Sequence, residues 1–505
     1  MKRRGSFRAG LGFGALSSLT LIALGLVSSV AIARVYGVEQ IGRYALALAP
    51  SLALAYLSSA QEQAALVRAL SVLEPLDTRA TGLFAAVLAF STALTLVVAA
   101  ATIGVTVLVF EGPLGHPGLV GPAAALIASQ ALLTNTCWNL DMVLSAYRAG
   151  RELFWIRLFQ ALSFLLLALA GGMAWGTVWG LVFATAGSVG VGLIHRLVMV
   201  RGYMRFSAPR SDLRAGFRKL PALVRFGIRL APSGLANGLS SQVGIWALGA
   251  TSSLATVGAY QRAWQLGYRF LEMNSRITEM LFPTLVERRA DGDREGFDRA
   301  VIDTSRYAAV AMLIPAAVGG GAGYGVMELF GPGFEDAGNT LAIVLLVPPL
   351  AAVANAHAQA LIANDRPFTT TKVATGQLLL TALLTFALVP PLGMLGAALA
   401  WAAAYLPAIA VLQLLTRRYL TSGLLELWPL RQLAALALAC AVGFAVARVV
   451  DRALDPLAAL PLALTLGTLA YGGTFAACGG LASRDRRRLA EIGARLRPRR
   501  RLPVR

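Results

Sequence analysis

Fourteen apolar stretches, each about as long as a bilayer-crossing helix, recur along this chain and leave it few other ways to fold. A crossing helix needs roughly 20 apolar residues, and unpaired backbone cannot face lipid, so each stretch is expected to be a helix. The first seven fall near residues 14–34, 42–62, 82–109, 119–145, 153–174, 176–198 and 226–250. The second seven fall near 256–284, 306–328, 338–362, 370–390, 394–416, 430–450 and 458–482. The 505 residues are 57% hydrophobic and only 14% charged. That balance excludes a disordered, collagenous or disulfide-stapled chain and predicts an all-α polytopic membrane protein. Cys137, Cys440 and Cys478 have neither CxxC spacing nor a neighbouring His, so no metal or cofactor is expected.

A net charge of +20 would suggest nucleic acid in a soluble chain, but here its distribution points to lipid. Of the 45 Lys and Arg, 38 lie on alternate connections, from Lys2, Arg3, Arg4 and Arg8 to the ten arginines after residue 483. The intervening connections hold only Arg34, Arg43, Arg448 and Arg452. By the positive-inside rule the basic side is cytoplasmic. Both termini are then expected inside a multi-pass cell membrane protein, which requires an even number of spans. The start also resembles a signal peptide with a cleavage site near Ala31 to Ala33, but its apolar run is longer than a usual signal core.

That first run also has a counterpart deep in the chain. Gly42-Arg-Tyr44 returns as Gly258-Ala-Tyr260, Asn139 and Asp141 as Asn355 and His357, and Gly180 as Gly396, all 216 residues apart. Arg151 and Arg157 recur at an offset of 215 as Arg366 and Lys372. Because the repeat holds six helices, an even number, its copies cross the membrane in the same sense and are related by an axis along the membrane normal. The expected organisation is a six-helix bundle at 1–200, a basic linker at 201–225 and a second six-helix bundle at 226–416. Two further helices at 417–482 and a basic tail at 483–505 complete it.

The order of several short motifs resembles one family. They are Ala33-Arg34-Val-Tyr-Gly37 leading to Gly42-Arg-Tyr44, then Val257-Gly258-Ala-Tyr260 and Phe282-Pro283 with Gly292-Asp293. Phe330-Gly331-Pro-Gly333-Phe334 and Leu392-Gly393-Met-Leu-Gly396 follow. Over residues 5 to 420 the chain resembles the Wzx-like lipid-linked oligosaccharide flippases of the multidrug, oligosaccharidyl-lipid and polysaccharide exporter superfamily. The resemblance implies a flippase that moves a polyprenyl-pyrophosphate-linked glycan to the outer leaflet. It also implies polysaccharide polymerase and glycosyltransferases as partners, in O-antigen, exopolysaccharide or capsule synthesis. The seventh span carries no acidic residue, a departure that bears on ion coupling there.

The eighth stretch concentrates charge. Arg262, Arg269, Arg276, Glu272 and Glu279 fall within an arc of about 100 degrees on a helix. Facing lipid, five such groups would cost on the order of 12 to 17 kcal/mol, so they must face protein or water. One reading is mutual neutralisation at i,i+3 and i,i+4. The other is a cavity wall whose arginines bind pyrophosphate, with Arg34 and Arg43 adding charge. Glu62, Asp141 and His357 are further candidates for ion coupling or cavity polarity, and interhelical hydrogen bonding is the bland alternative. Pro315 with the glycines at 319–323, and Pro348-Pro349, mark hinges or static kinks. Tyr260, Trp264 and Tyr268 are candidates for stacking on sugar rings. Asp291-Gly-Asp293 mimics a metal-binding motif but reads as a solvated turn. Without a Walker A sequence, ATP hydrolysis by that route is not expected. Beside the flippase, a small-molecule exporter of the same superfamily and a membrane glycosyltransferase or polymerase stay open. The short outer connections argue against the enzyme.

Overall fold

The computed structural model describes residues 7–58, 62–228, 231–420, 429–454 and 456–480. Among these, ten helices are long and apolar enough to cross a bilayer. Two of them are too long for a single crossing. The helix Phe7–Leu57 has 51 residues, about 77 Å at 1.5 Å per residue, against a hydrocarbon core of roughly 30 Å. It turns at Gly37, where φ is 74°, a conformation that only glycine adopts without strain. The helix Pro367–Thr416 turns likewise at Gly393, with φ 54°. A Cβ on Gly396 would lie 2.1 Å from the Leu388 carbonyl oxygen, so its two arms pack back to back. Each long helix is therefore two spans.

The remaining spans follow in order. Spans 3 to 6 are Thr78–Glu111, Pro117–Ala146, Gly150–Ala174 and Val178–Val200. Span 7 is broken into Ala231–Ser240 and Val243–Thr251, and span 8 is the polar helix Leu254–Ala290. Span 9 runs from Arg294, through a π-helical turn at Pro315–Gly319, to Glu328. Span 10 is Glu335–Ala363, interrupted at Leu345 and Leu346, and spans 11 and 12 are the arms of the Pro367–Thr416 hairpin. Spans 13 and 14 are Leu430–Ala453 and Pro456–Ala477. Among the described residues this gives fourteen helical segments in the expected order, twelve of them within helices apolar enough to cross a bilayer. Several limits differ from the expected ones. Span 2 ends at Leu57, and Glu62 opens a separate short helix, Glu62–Leu70. Span 9 starts twelve residues before the expected 306, because Phe297 and Val301 give its charged first turns a buried face.

The repeat is visible in the packing. A Cβ on Gly42 would meet the Leu254 carbonyl oxygen at 1.8 Å, and one on Gly258 would meet that of Val38 at 2.0 Å. Val38 and Leu254 are themselves 216 residues apart, so the two contacts are mates across the pseudo-two-fold axis. The π-helical turn at Gln130–Thr134 in span 4 has its mate in the break of span 10. Around the axis, Leu46 and Ala49 of span 2 share one buried cluster with Leu248, Tyr260, Trp264 and Trp401 of the second lobe.

The connection between the lobes is more than a linker. Arg210–Gly227 is an amphipathic helix, and Leu220 and Leu223 pack toward the base of span 3. A Cβ on Gly216 would lie 2.1 Å from the Gly82 carbonyl oxygen, and Thr78 Oγ1 donates to Asp212 Oδ2 at 2.6 Å. In the loop before span 9, Asp293 accepts from the Gly296 N–H at 2.8 Å and from Arg288. These bonds hold its carboxyl below the usual carboxylate range, and Asp291-Gly-Asp293 is a helix-capping turn.

Overpacking a tight site typically costs about 1 to 3 kcal/mol. Gly42→Ala and Gly258→Ala are each expected to lower the unfolding temperature in detergent by that equivalent. Because both act on one contact, the double substitution should cost less than the sum. Singles that melt like the parent would contradict the contact.

Candidate functional site: a cationic cavity between the lobes

At the Gly42–Gly258 end the lobes touch, and away from it they part around a cavity of about 880 Å³. Spans 1, 2, 5 and 6 form one wall, and the break of span 7 with the middle of span 8 forms the other. The closed end is strapped further. Arg34 Nε donates to the Leu329 carbonyl at 2.9 Å, and Phe330 and Phe334 are buried against Ile32, Tyr36 and Ile41. The cavity extends from Ile41, beside that seal, to Tyr56 and Met273 toward the side bearing the basic connections.

Two of the three arginines of the span 8 stripe line this cavity with Glu272. Arg262 is buried and held in place by Nη1, which donates to Ser29 Oγ at 2.8 Å and Gln265 Oε1 at 2.7 Å. Among the described residues no carboxylate pairs with it. Arg269 Nη1 donates to Glu272 Oε2 at 3.0 Å, and both side chains are about half exposed, 52% and 48%. Water therefore reaches this end, and the pair is worth little as an ion pair. The side chains of Arg276 and Glu279 lie outside the described residues. Arg34 and Arg43 do not join the cavity wall: Arg34 straps the closed end, and Arg43 pairs with Glu39 on the surface at 2.8 Å. The extra positive charge comes instead from Arg157 of span 5, one of the 38 basic residues that the charge alternation assigns to the basic connections. Its position seven residues into an apolar helix, three before Gln160, was the available signal.

Asp141 is not on the cavity surface. It accepts two bonds from the buried Arg196, at 2.7 Å from Nε and 3.1 Å from Nη2. The third arm of the guanidinium, Nη1, donates to Gln160 Oε1 at 2.8 Å. Gly192 makes room for this network, since a Cβ there would meet Arg196 Nη1 at 2.7 Å. Because a guanidinium offers only donors, Gln160 must turn its oxygen to Arg196 and commit its NH₂ to the cavity it lines. An acidic residue is thus spent on orienting a neutral donor. Glu62 and His357 are also buried away from the main cavity. Glu62 lies in a small pocket with Thr95, Gln130 and Asn135, and the ring nitrogens of His357 have no hydrogen-bond partner among the described residues.

The aromatics divide. Trp264 and Tyr268 line the cavity and stack with centroids 4.8 Å apart, whereas Tyr260 is buried in the lobe interface. Tyr44 bonds Thr185 across the first-lobe wall at 2.7 Å. Gln242 and Gln261 complete a surface of amides, hydroxyls and guanidinia. Of the described charged lining residues, Arg157, Arg262 and Arg269 outnumber Glu272. The chemistry of such a surface is complementary to an anionic group rich in hydrogen-bond acceptors, and apolar side chains of the spans line the rest.

Breaking a buried ion pair from one side typically costs about 3 to 5 kcal/mol, whereas apolar replacement of both partners is often neutral. Asp141→Ala is expected to lower detergent stability accordingly, and Asp141→Leu with Arg196→Met to recover most of it. An Asp141→Ala protein as stable as the parent would rule out this role.

Three comparisons bear on this architecture. The sequence profile of the polysaccharide biosynthesis protein family matches residues 10–288. A probable flippase, AglR, of Haloferax volcanii is 27% identical over 157 residues, which are 30% of this chain and 33% of that protein. The match thus spans a third of that curated relative's length. A structure of the lipid II flippase MurJ in an inward closed conformation superposes with a TM-score of 0.66 at 13% identity, covering 92% of this chain and 98% of that one. An inward-facing multidrug resistance MATE transporter of the MOP superfamily gives 0.56 at 15% identity, covering 80% and 97%. These structures share the two-bundle fold with this chain, and they are named as a flippase and a transporter. With more than half its length matched by the family profile, the chain belongs to the polysaccharide biosynthesis protein family.

Proposed function

We propose that the chain carries a polyprenyl-pyrophosphate-linked oligosaccharide from the cytoplasmic to the outer leaflet for surface polysaccharide synthesis. The observation that carries this reading is Arg262, a guanidinium fixed in the cavity wall with no carboxylate partner among the described residues. A buried cation of this kind is costly unless a ligand or water meets it, and a planar donor fork suits a phosphate oxygen pair. Arg157 and Arg269 add charge toward the basic end, and Gln160, Trp264 and Tyr268 offer donor and stacking surfaces for sugar. The name of AglR as a probable flippase and of MurJ as a lipid II flippase supports a lipid-moving role.

The basic side is taken as cytoplasmic by the positive-inside rule, with both termini there. The cavity in this conformation then draws its substrate from the inside. Rocking of the lobes about the Gly42–Gly258 contact would open the other end, as the parallel repeat suggests. Polysaccharide polymerase and glycosyltransferases would act on the glycan before and after it crosses.

Loss of a hydrogen bond to a charged group costs about 1.5 to 3 kcal/mol, or roughly ten- to a hundredfold. In proteoliposomes loaded with undecaprenyl-pyrophosphate-linked glycan, Arg262→Ala should slow the appearance of glycan to an outside lectin by that factor. Arg43→Ala should leave it unchanged. The Arg269→Ala/Glu272→Ala double variant should also remain slow, since the pair's removal takes away a phosphate donor. Parental rates for Arg262→Ala and for the double variant would overturn the phosphate-binding role.

A further inference from the structure

The helix joining the lobes presents an unusual free face. At 100 degrees per residue, Arg210, Arg214, Phe217, Arg218, Pro221, Arg225 and Ile228 all fall within an arc of about 100 degrees. All seven are exposed, Phe217 by 48% and Ile228 by 56%. The arc holds no acidic residue: Asp212 lies on the opposite face, bonded to Thr78. Among the described residues none of these four arginines makes an ion pair. The docked face is accounted for by the Gly82–Gly216 contact and by Leu220 and Leu223, so the arginine face is left over from folding.

Its depth follows from span 3. That helix has 34 residues, about 51 Å, against a hydrocarbon core of roughly 30 Å. Centred in the bilayer, it projects about 10 Å at each end, which places Gly82 and the helix docked on it at the level of the lipid headgroups. Arginines interleaved with Phe217, Pro221 and Ile228 suit that level, because cations meet headgroup phosphates while apolar side chains dip between acyl chains. An acidic protein surface would match the arginines but leave the apolar side chains between them without a purpose.

We propose that this face of Arg210–Gly227 is a binding surface for anionic phospholipid on the basic side of the membrane. Since the helix is the covalent tie between the lobes, lipid held here anchors the segment across which the lobes must move. The surface is independent of what the cavity carries.

The test uses the full chain in nanodiscs of phosphatidylcholine, with or without 30% phosphatidylglycerol, and follows amide hydrogen exchange of residues 210–227. Phosphatidylglycerol is expected to slow exchange in this segment about tenfold, with 0.5 M salt removing most of the effect. The Arg214→Gln/Arg218→Gln/Arg225→Gln variant should lose the slowing, and the matching Arg→Lys variant should keep it. Phe217→Ser should weaken it without abolishing it. Equal exchange of the parent in both nanodiscs would overturn the proposal, as would equal slowing in the Gln variant. Slowing by a polyglutamate peptide in phosphatidylcholine discs, with none from phosphatidylglycerol, would assign the face to an acidic protein partner instead.

Discussion

The approach of two backbones at Gly42 and Gly258 governs the rest of this molecule. Between membrane helices there is no hydrophobic drive to associate, because lipid tails are as apolar as leucine, and adhesion must come from close packing. Glycine allows spans 2 and 8 to meet without an intervening side chain, and the repeat supplies the same allowance from both partners. The lobes are thereby pinned at one end and separated at the other. The cavity, its closure and the axis for any rocking motion all descend from that one contact.

Upon this symmetric frame the polar groups are placed asymmetrically. The repeat mates of Arg262, Arg269 and Glu272 are Leu46, Ala53 and Tyr56, so the charged stripe belongs to the second lobe alone. Conversely, the Asp141–Arg196–Gln160 network of the first lobe has His357, Leu412 and Gly376 as its mates. The cavity is built where the charged stripe of the second lobe faces a wall of hydroxyls, Gln160 and the lone Arg157 on the first. The symmetry of the backbone frame therefore does not extend to the chemistry of the cavity lining.

The glycine-rich turn of span 9 shows how motion and packing are told apart. Gly320 lies against Ala342, Gly321 against the Phe444 backbone and Gly323 against the Gly338 carbonyl. Asp451 accepts the Gly325 N–H on both carboxylate oxygens at 3.2 Å. These small residues let spans 10 and 13 close on span 9, so the run reads as the dock for the additional helix pair and not as a free hinge.

The sequence alone determined the helices, their number, the six-span period and the concentration of charge on span 8, because apolar length and periodicity are local properties that a bilayer enforces. Even the axis was legible, since the offset between Gly42 and Gly258 is arithmetic on residue numbers. What only tertiary structure decided is which polar groups share a space. Asp141 looks like an ion-coupling residue until Arg196, 55 positions away, is seen bonded to it. Arg157 looks like one more basic connection until span 5 is found in the cavity wall, and Arg34 looks like a substrate ligand until it straps the closed end. Long side chains on neighbouring helices meet according to helix rotation and depth, which depend on contacts distant in the chain and leave no spacing to read.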